Sequence, residues 1–139
     1  MTKPSPRQTI WIRQLARDMP FYNHLGIHLT RLGTGRAEIR VKVTKRLTQD
    51  AGVAHGGVAA ALIDSAVGLA LCTMLHAEES ITTVELKVNF TAPAHLGLLK
   101  ASGRIIHRGR RIAVGEGEVK DQKRRLIAKG LVTYIILRK

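Results

Sequence analysis

The sequence predicts an α+β domain, an antiparallel sheet packed around one long buried helix, and three observations carry that expectation. Residues 58–75 are apolar except for Asp64, Ser65 and Thr73, a run long enough for several helical turns. Segments on both sides of it alternate apolar and polar residues with period two, separated by turn-forming Gly, Pro and Asp in hairpin order. The chain of 139 residues shows neither repeat nor linker, which leaves room for one hydrophobic core. One domain over 1–139 is therefore expected, with an N-terminal segment and short helix over 1–24 and the sheet-and-helix core over 25–139.

Pro4 and Pro6 make a loose start, and Thr9 is placed to cap a short helix carrying Ile10, Trp11, Leu15 and Met19 until Pro20 stops it. A strand over 25–32 turns at Gly33-Thr34-Gly35 into a second over 36–44, where Ala37, Ile39, Val41 and Val43 share one face. Residues 47–54 have no periodicity and lead through His55-Gly56-Gly57 into the apolar run. Three or four strands follow. The first, over 82–91, alternates Val84, Leu86, Val88 and Phe90 with Glu85, Lys87 and Asn89 until Ala92-Pro93-Ala94 breaks it. The others cover 98–107, 112–120 and 126–137, joined by Arg108-Gly109-Arg110 and Asp121-Gln122-Lys123.

Composition narrows the classes further. At 45% hydrophobic and 24% charged residues, collagen-like, low-complexity and disordered chains are excluded. Cys72 is the single cysteine, so neither an intrachain disulfide nor a thiolate metal cluster can form, and a reducing, cytoplasmic setting fits. Residues 8–17 lack the apolar stretch of a secretory signal. Asp64 near the middle of the apolar run argues for a core helix rather than a membrane span, because a carboxylate is costly in hydrocarbon.

The densest unusual chemistry lies between Gln49 and Asp64. Consecutive glycines at a helix start let backbone N–H groups approach a ligand, and the first N–H groups of a helix have no internal partner. Such an end can hold an oxyanion or polarise a carbonyl, or the glycines can simply make a tight turn. Asp64 follows Gly57 by seven residues, two helical turns, in an almost wholly apolar stretch. It is either satisfied by a backbone or basic neighbour, or it faces a cleft as a base or nucleophile.

Gln49-x-x-Gly52-x-x-His55-Gly56-Gly57, then Asp64, then Thr83-Val84-Glu85-Leu86-Lys87-Val88-Asn89-Phe90-x-x-Pro93-Ala94, resembles the hotdog-fold acyl-CoA thioesterases of the phenylacetate-degradation (PaaI) and hydroxybenzoyl-CoA thioesterase type. The resemblance spans roughly 25–134. It implies a long central helix wrapped by an antiparallel sheet, in a dimer or a dimer of dimers, and hydrolysis of an acyl-CoA without metal or redox cofactor. It further implies that the Gly56 N–H polarises the thioester carbonyl while His55 holds the loop and the thioester. Gln49 would bond the attacking water or the thioester. Asp64, contributed by the partner subunit, would act as general base or nucleophile, and Thr83 would orient the water. Gly57, Gly68 and Asn89 are expected to line the substrate's path, the small residues keeping the helix thin beside the acyl group.

The net charge is +13 and unevenly spread. Residues 1–46 hold ten Lys/Arg against two Asp/Glu and residues 104–139 hold eleven against three, whereas 47–103 hold two against five. The phosphates of CoA are the expected anionic partner, with Arg108, Arg110 and Arg111 as candidate ligands. Two other readings fit parts of the sequence. A noncatalytic acyl-CoA sensor would share the fold but has no need of a buried carboxylate. A nucleic-acid-binding module would use the charge, yet Trp11, Phe21, Tyr22, Phe90 and Tyr134 are too scattered to stack bases.

Overall fold

The computed structural model describes residues 3–139. Two N-terminal helices, α1 (Pro6–Asp18) and α2 (Pro20–Leu25), precede a hairpin of β1 (His28–Gly33) and β2 (Arg36–Val43). The long helix α3 (Gly56–Cys72) follows, and then β3 (Glu79–Phe90), β4 (Gly97–Arg108), β5 (Ile112–Asp121) and β6 (Leu126–Arg138). The six strands form one antiparallel sheet in the order β1-β2-β4-β5-β6-β3. This is the hotdog arrangement, with α3 held in the concave face of the sheet.

Glycine makes that embrace possible. Gly103, Gly117 and Gly130 stand opposite one another on β4, β5 and β6, forming a furrow across three strands. A Cβ at Gly103 would lie 2.5 Å from backbone atoms of Ala66 and Val67, so α3 rests directly on the sheet there. Leu62, Ile63, Ala66, Val67, Ala70 and Leu71 are fully buried as a result. One stripe at helical spacing, Gly57, Ala60, Ala61, Asp64, Ser65 and Gly68, escapes complete burial. The turn between β1 and β2 is tied to the other end of α3 by the Thr73 hydroxyl, which accepts the Gly35 N–H at 2.7 Å.

The N-terminal region departs from the expected helix. Ser5, not Thr9, caps α1, its hydroxyl accepting the Gln8 N–H at 3.2 Å. Pro6 supplies a pre-set first turn with no N–H to satisfy, and the Thr9 N–H already donates to Ser5 O as the first regular helical bond. Pro20 stops α1 and by the same property starts α2. Gly26, at φ +76°, ends α2 in the left-handed conformation, which delays the first strand from the expected residue 25 to His28. Ile12, Ala16 and Tyr22 pack inward, while Ile10 and Trp11 sit on the open side. Four strands follow α3, and among the described residues no helix is long and apolar enough to cross a membrane.

Candidate active site

The N-terminus of α3 is built by the loop before it. Gly52, at φ +74°, turns the chain so that the Gln49 N–H reaches Val53 O at 2.8 Å, and His55 N–H bonds Leu47 O. Gln49 therefore sits exposed on a closed turn beside the helix start. His55 is the N-cap of α3: its Nδ1 accepts the Gly57 N–H at 2.8 Å. An accepting Nδ1 leaves the ring proton on Nε2, a donor pointing away from the helix. A Cβ at Gly57 would lie 2.9 Å from His55 Nδ1, so the cap demands glycine at 57. The N–H of Gly56, first in the helix, has no intrahelical acceptor, and the Phe90 ring packs beside that residue.

Asp64 lies two turns further on, half-buried on the open stripe. Thr83 Oγ1 donates to its Oδ1 at 2.9 Å, and the Tyr134 hydroxyl lies 2.8 Å from the same oxygen. Thr83 reaches it because β3 is bulged. Thr83 pairs with Tyr134 and Glu85 with Thr133, which makes Val84 the extra residue. Regular alternation would put Thr83 on the face of Glu85, Lys87 and Asn89; the bulge returns it to the helix side with Leu86 and Val88. Tyr134 is a contact that reading the sequence missed. Its signal was an aromatic hydroxyl on the inward face of a strand between Val132 and Ile136, where a buried phenol needs a partner. Burial and the neighbouring Asp64 carboxylate push its ionisation far above the usual phenol range, so it stays a donor.

Along the helix Gly56 and Asp64 are separated by roughly 12 Å, too far for both to touch one reacting group within a single chain. The remaining expected residues spread over the surface around them. Gly68 abuts the Tyr134 hydroxyl, 3.3 Å from the position of an added Cβ. Asn89 lies on the outer face of β3, its side-chain oxygen accepting from Lys87 Nζ. Arg108, expected near phosphate, is paired with Glu79, whose side chain is wholly buried and also meets Arg138 at 3.4 Å. The His76 N–H and Arg108 hold the Glu79 carboxyl below its ordinary range. Arg110 and Arg111 are exposed on the β4–β5 turn. Asp64 opens onto a cleft of about 1050 Å³ whose far walls are Trp11, Leu15, Phe21 and Leu75. Cys72 also borders it, but burial pushes its thiol up to about 11, leaving it protonated.

The thioesterase superfamily's sequence profile matches residues 51–128, more than half of the chain, including the capped helix start, Asp64 and Thr83. The chain belongs to the thioesterase superfamily. Within that superfamily it is similar to the proofreading thioesterase EntH of Klebsiella pneumoniae, 33% identical over 102 residues, 73% of this chain and 74% of that protein. It is 26% identical to the 1,4-dihydroxy-2-naphthoyl-CoA hydrolase of Listeria monocytogenes over 83% of this chain and 94% of that one. A thioesterase family protein from Silicibacter pomeroyi superposes with a TM-score of 0.90 at 27% identity, covering 95% of this chain and 99% of that structure. The hotdog fold is that of this thioesterase superfamily, and the two enzymes just named are a thioesterase and a CoA-thioester hydrolase.

Proposed function

We propose that the protein hydrolyses acyl-CoA thioesters to free acid and CoA at a site completed by two subunits. The observation that carries this reading is the Asp64 carboxylate, fixed by two hydroxyls on the one open stripe of α3 and facing an apolar cleft. In the proposed reaction the Gly56 N–H of one subunit polarises the thioester carbonyl, aided by the positive end of the helix dipole. Gln49 and the Nε2–H of His55 hold the thioester and the attacking water. Asp64 of the partner subunit takes a proton from that water as its oxygen adds to the carbonyl carbon, or adds to the carbon itself; Thr83 orients the water. The carbon–sulfur bond then breaks, the electron pair leaves with CoA sulfur, and that thiolate takes up the proton released by water; where Asp64 has added to the carbon, water then cleaves the resulting anhydride to free acid and the Asp64 carboxylate. Water is the only co-reactant. In this reading Arg110 and Arg111, exposed on the β4–β5 turn, bind the phosphates of CoA, whereas Arg108 serves them only if it leaves Glu79.

The free edge of β3 supports the two-subunit arrangement. That edge carries Val84 and Phe90, each more than half exposed, and an unpaired strand edge with exposed apolar side chains invites a partner. A thiol-release assay over straight-chain and aryl acyl-CoAs tests the reading. Turnover of at least one class is expected, with Asp64→Asn reducing kcat by at least ~100-fold while the dimer persists. Unchanged turnover in that variant, or binding of several acyl-CoAs with thiol released from none, overturns it.

A further inference from the structure

Tyr134 is 2% exposed and is one of the two hydroxyls that hold the carboxylate, yet the hydrolysis set out above gives it no step of its own. Its hydroxyl lies 2.8 Å from Asp64 Oδ1 and 2.6 Å from the Asp64 carbonyl oxygen. That carbonyl belongs to a helical turn whose regular N–H donor is four residues on, so the phenolic hydrogen is available to the carboxylate. The Thr83 hydroxyl reaches the same Oδ1 from β3. Two donors from two strands thus converge on one oxygen, and no donor among the described residues reaches Oδ2. Gly68 completes the geometry. A Cβ at position 68 would stand 3.3 Å from the Tyr134 oxygen and 3.8 Å from two of its ring carbons, so the hydroxyl occupies the space a side chain one turn after Asp64 would fill.

On the reading that Asp64 activates water, we propose that Tyr134 is a positioning residue: with Thr83 it clamps Oδ1 and so presents Oδ2 to the water, in a seat that Gly68 keeps open. The hydroxyl comes from the sheet, so the orientation of a helix side chain depends on the register of β6 against β3. A hydrogen bond to a charged group, lost without emptying the cavity, lowers the fraction of Asp64 in the productive orientation more than it weakens substrate binding.

Tyr134→Phe keeps the ring and removes the donor. A kcat loss of ~10–100-fold with KM within about twofold is expected. Adding Gly68→Ser to Tyr134→Phe places a hydroxyl one turn from Asp64 in the vacated space and is expected to restore kcat by at least about fivefold. Wild-type kcat in a folded Tyr134→Phe protein overturns the proposal, as does the absence of any rescue. Where Tyr134→Phe does not fold, Gly68→Leu serves: its longer side chain must enter the space of the hydroxyl that a Cβ already approaches to 3.3 Å, and unchanged kcat in a folded variant then overturns the proposal. Crystal structures separate this inference from the hydrolase reading. Should the wild type release no thiol, a single Asp64 rotamer in the wild type that turns or splits in Tyr134→Phe still supports the clamp, and the same rotamer in both rejects it.

Discussion

Gly57 shows how a single missing side chain can serve activity more than stability. His55 caps α3 only because no Cβ stands within 2.9 Å of its Nδ1. Gly57→Ala would disrupt the cap, a loss of about 1 kcal/mol, while gaining up to about 1 kcal/mol of helix propensity. The two nearly cancel. A melting temperature close to wild type is therefore expected together with a kcat lowered by more than about tenfold, because His55 and the Gly56 N–H move together. Thermal melts and thiol release on the same preparation check it; a variant melting far below wild type, or turning over normally, would contradict the balance. At this scale the sequence pointed to unusual residues but not to their contacts. Gly56, Gly57 and Asp64 stood out because a glycine pair at a helix start and a carboxylate in an apolar run break local rules, whereas Gln49 and His55 drew notice through the family resemblance. Tyr134 broke none, since its role arises from a neighbour 70 residues away in the chain.

Among the elements, α3 and the strands were legible because each carries its own period. Ala37, Ile39, Val41 and Val43 alternate inward along β2 as read. The bulge at Val84 was not legible, because the pattern of β3 on either side of it is regular and only pairing with β6 reveals the extra residue. Nor was α2, whose six residues offer no period and whose start is the same Pro20 that ends α1. The furrow of facing glycines appears only when β4, β5 and β6 are set in register. It yields a clear stability prediction. Gly103→Ala drives a Cβ into the α3 backbone, which cannot rotate away as a side chain can. A loss of about 3 kcal/mol is expected in urea unfolding, the upper part of the range for overpacking. A loss below about 1 kcal/mol would mean that α3 lifts off the sheet without cost.

For the whole molecule, the net charge of +13 looks different once partners are assigned. Glu38, Glu79, Glu116, Glu118 and Asp121 are all engaged by basic residues, so half of the ten acids are neutralised locally and the surplus is carried by Lys and Arg outside these pairs. The two-subunit site makes a prediction that no single-chain site can share. Asp64→Asn and His55→Ala subunits, each inactive alone, are expected to regain about a quarter of wild-type turnover when co-expressed, since half of random dimers carry one intact site. No recovery in verified heterodimers would place all the catalytic groups in one chain. The strand order has a further consequence, in time rather than space. β3 pairs only with β6, the last strand of this sheet in chain order, and through it alone joins the rest of the sheet. Until residues near Tyr134 leave the ribosome, β3 has no strand neighbour, and the contacts that orient Asp64 do not exist. Pairing of β3 with β6 is therefore a long-range, late step of folding, and both edges of β3 stay open until it happens.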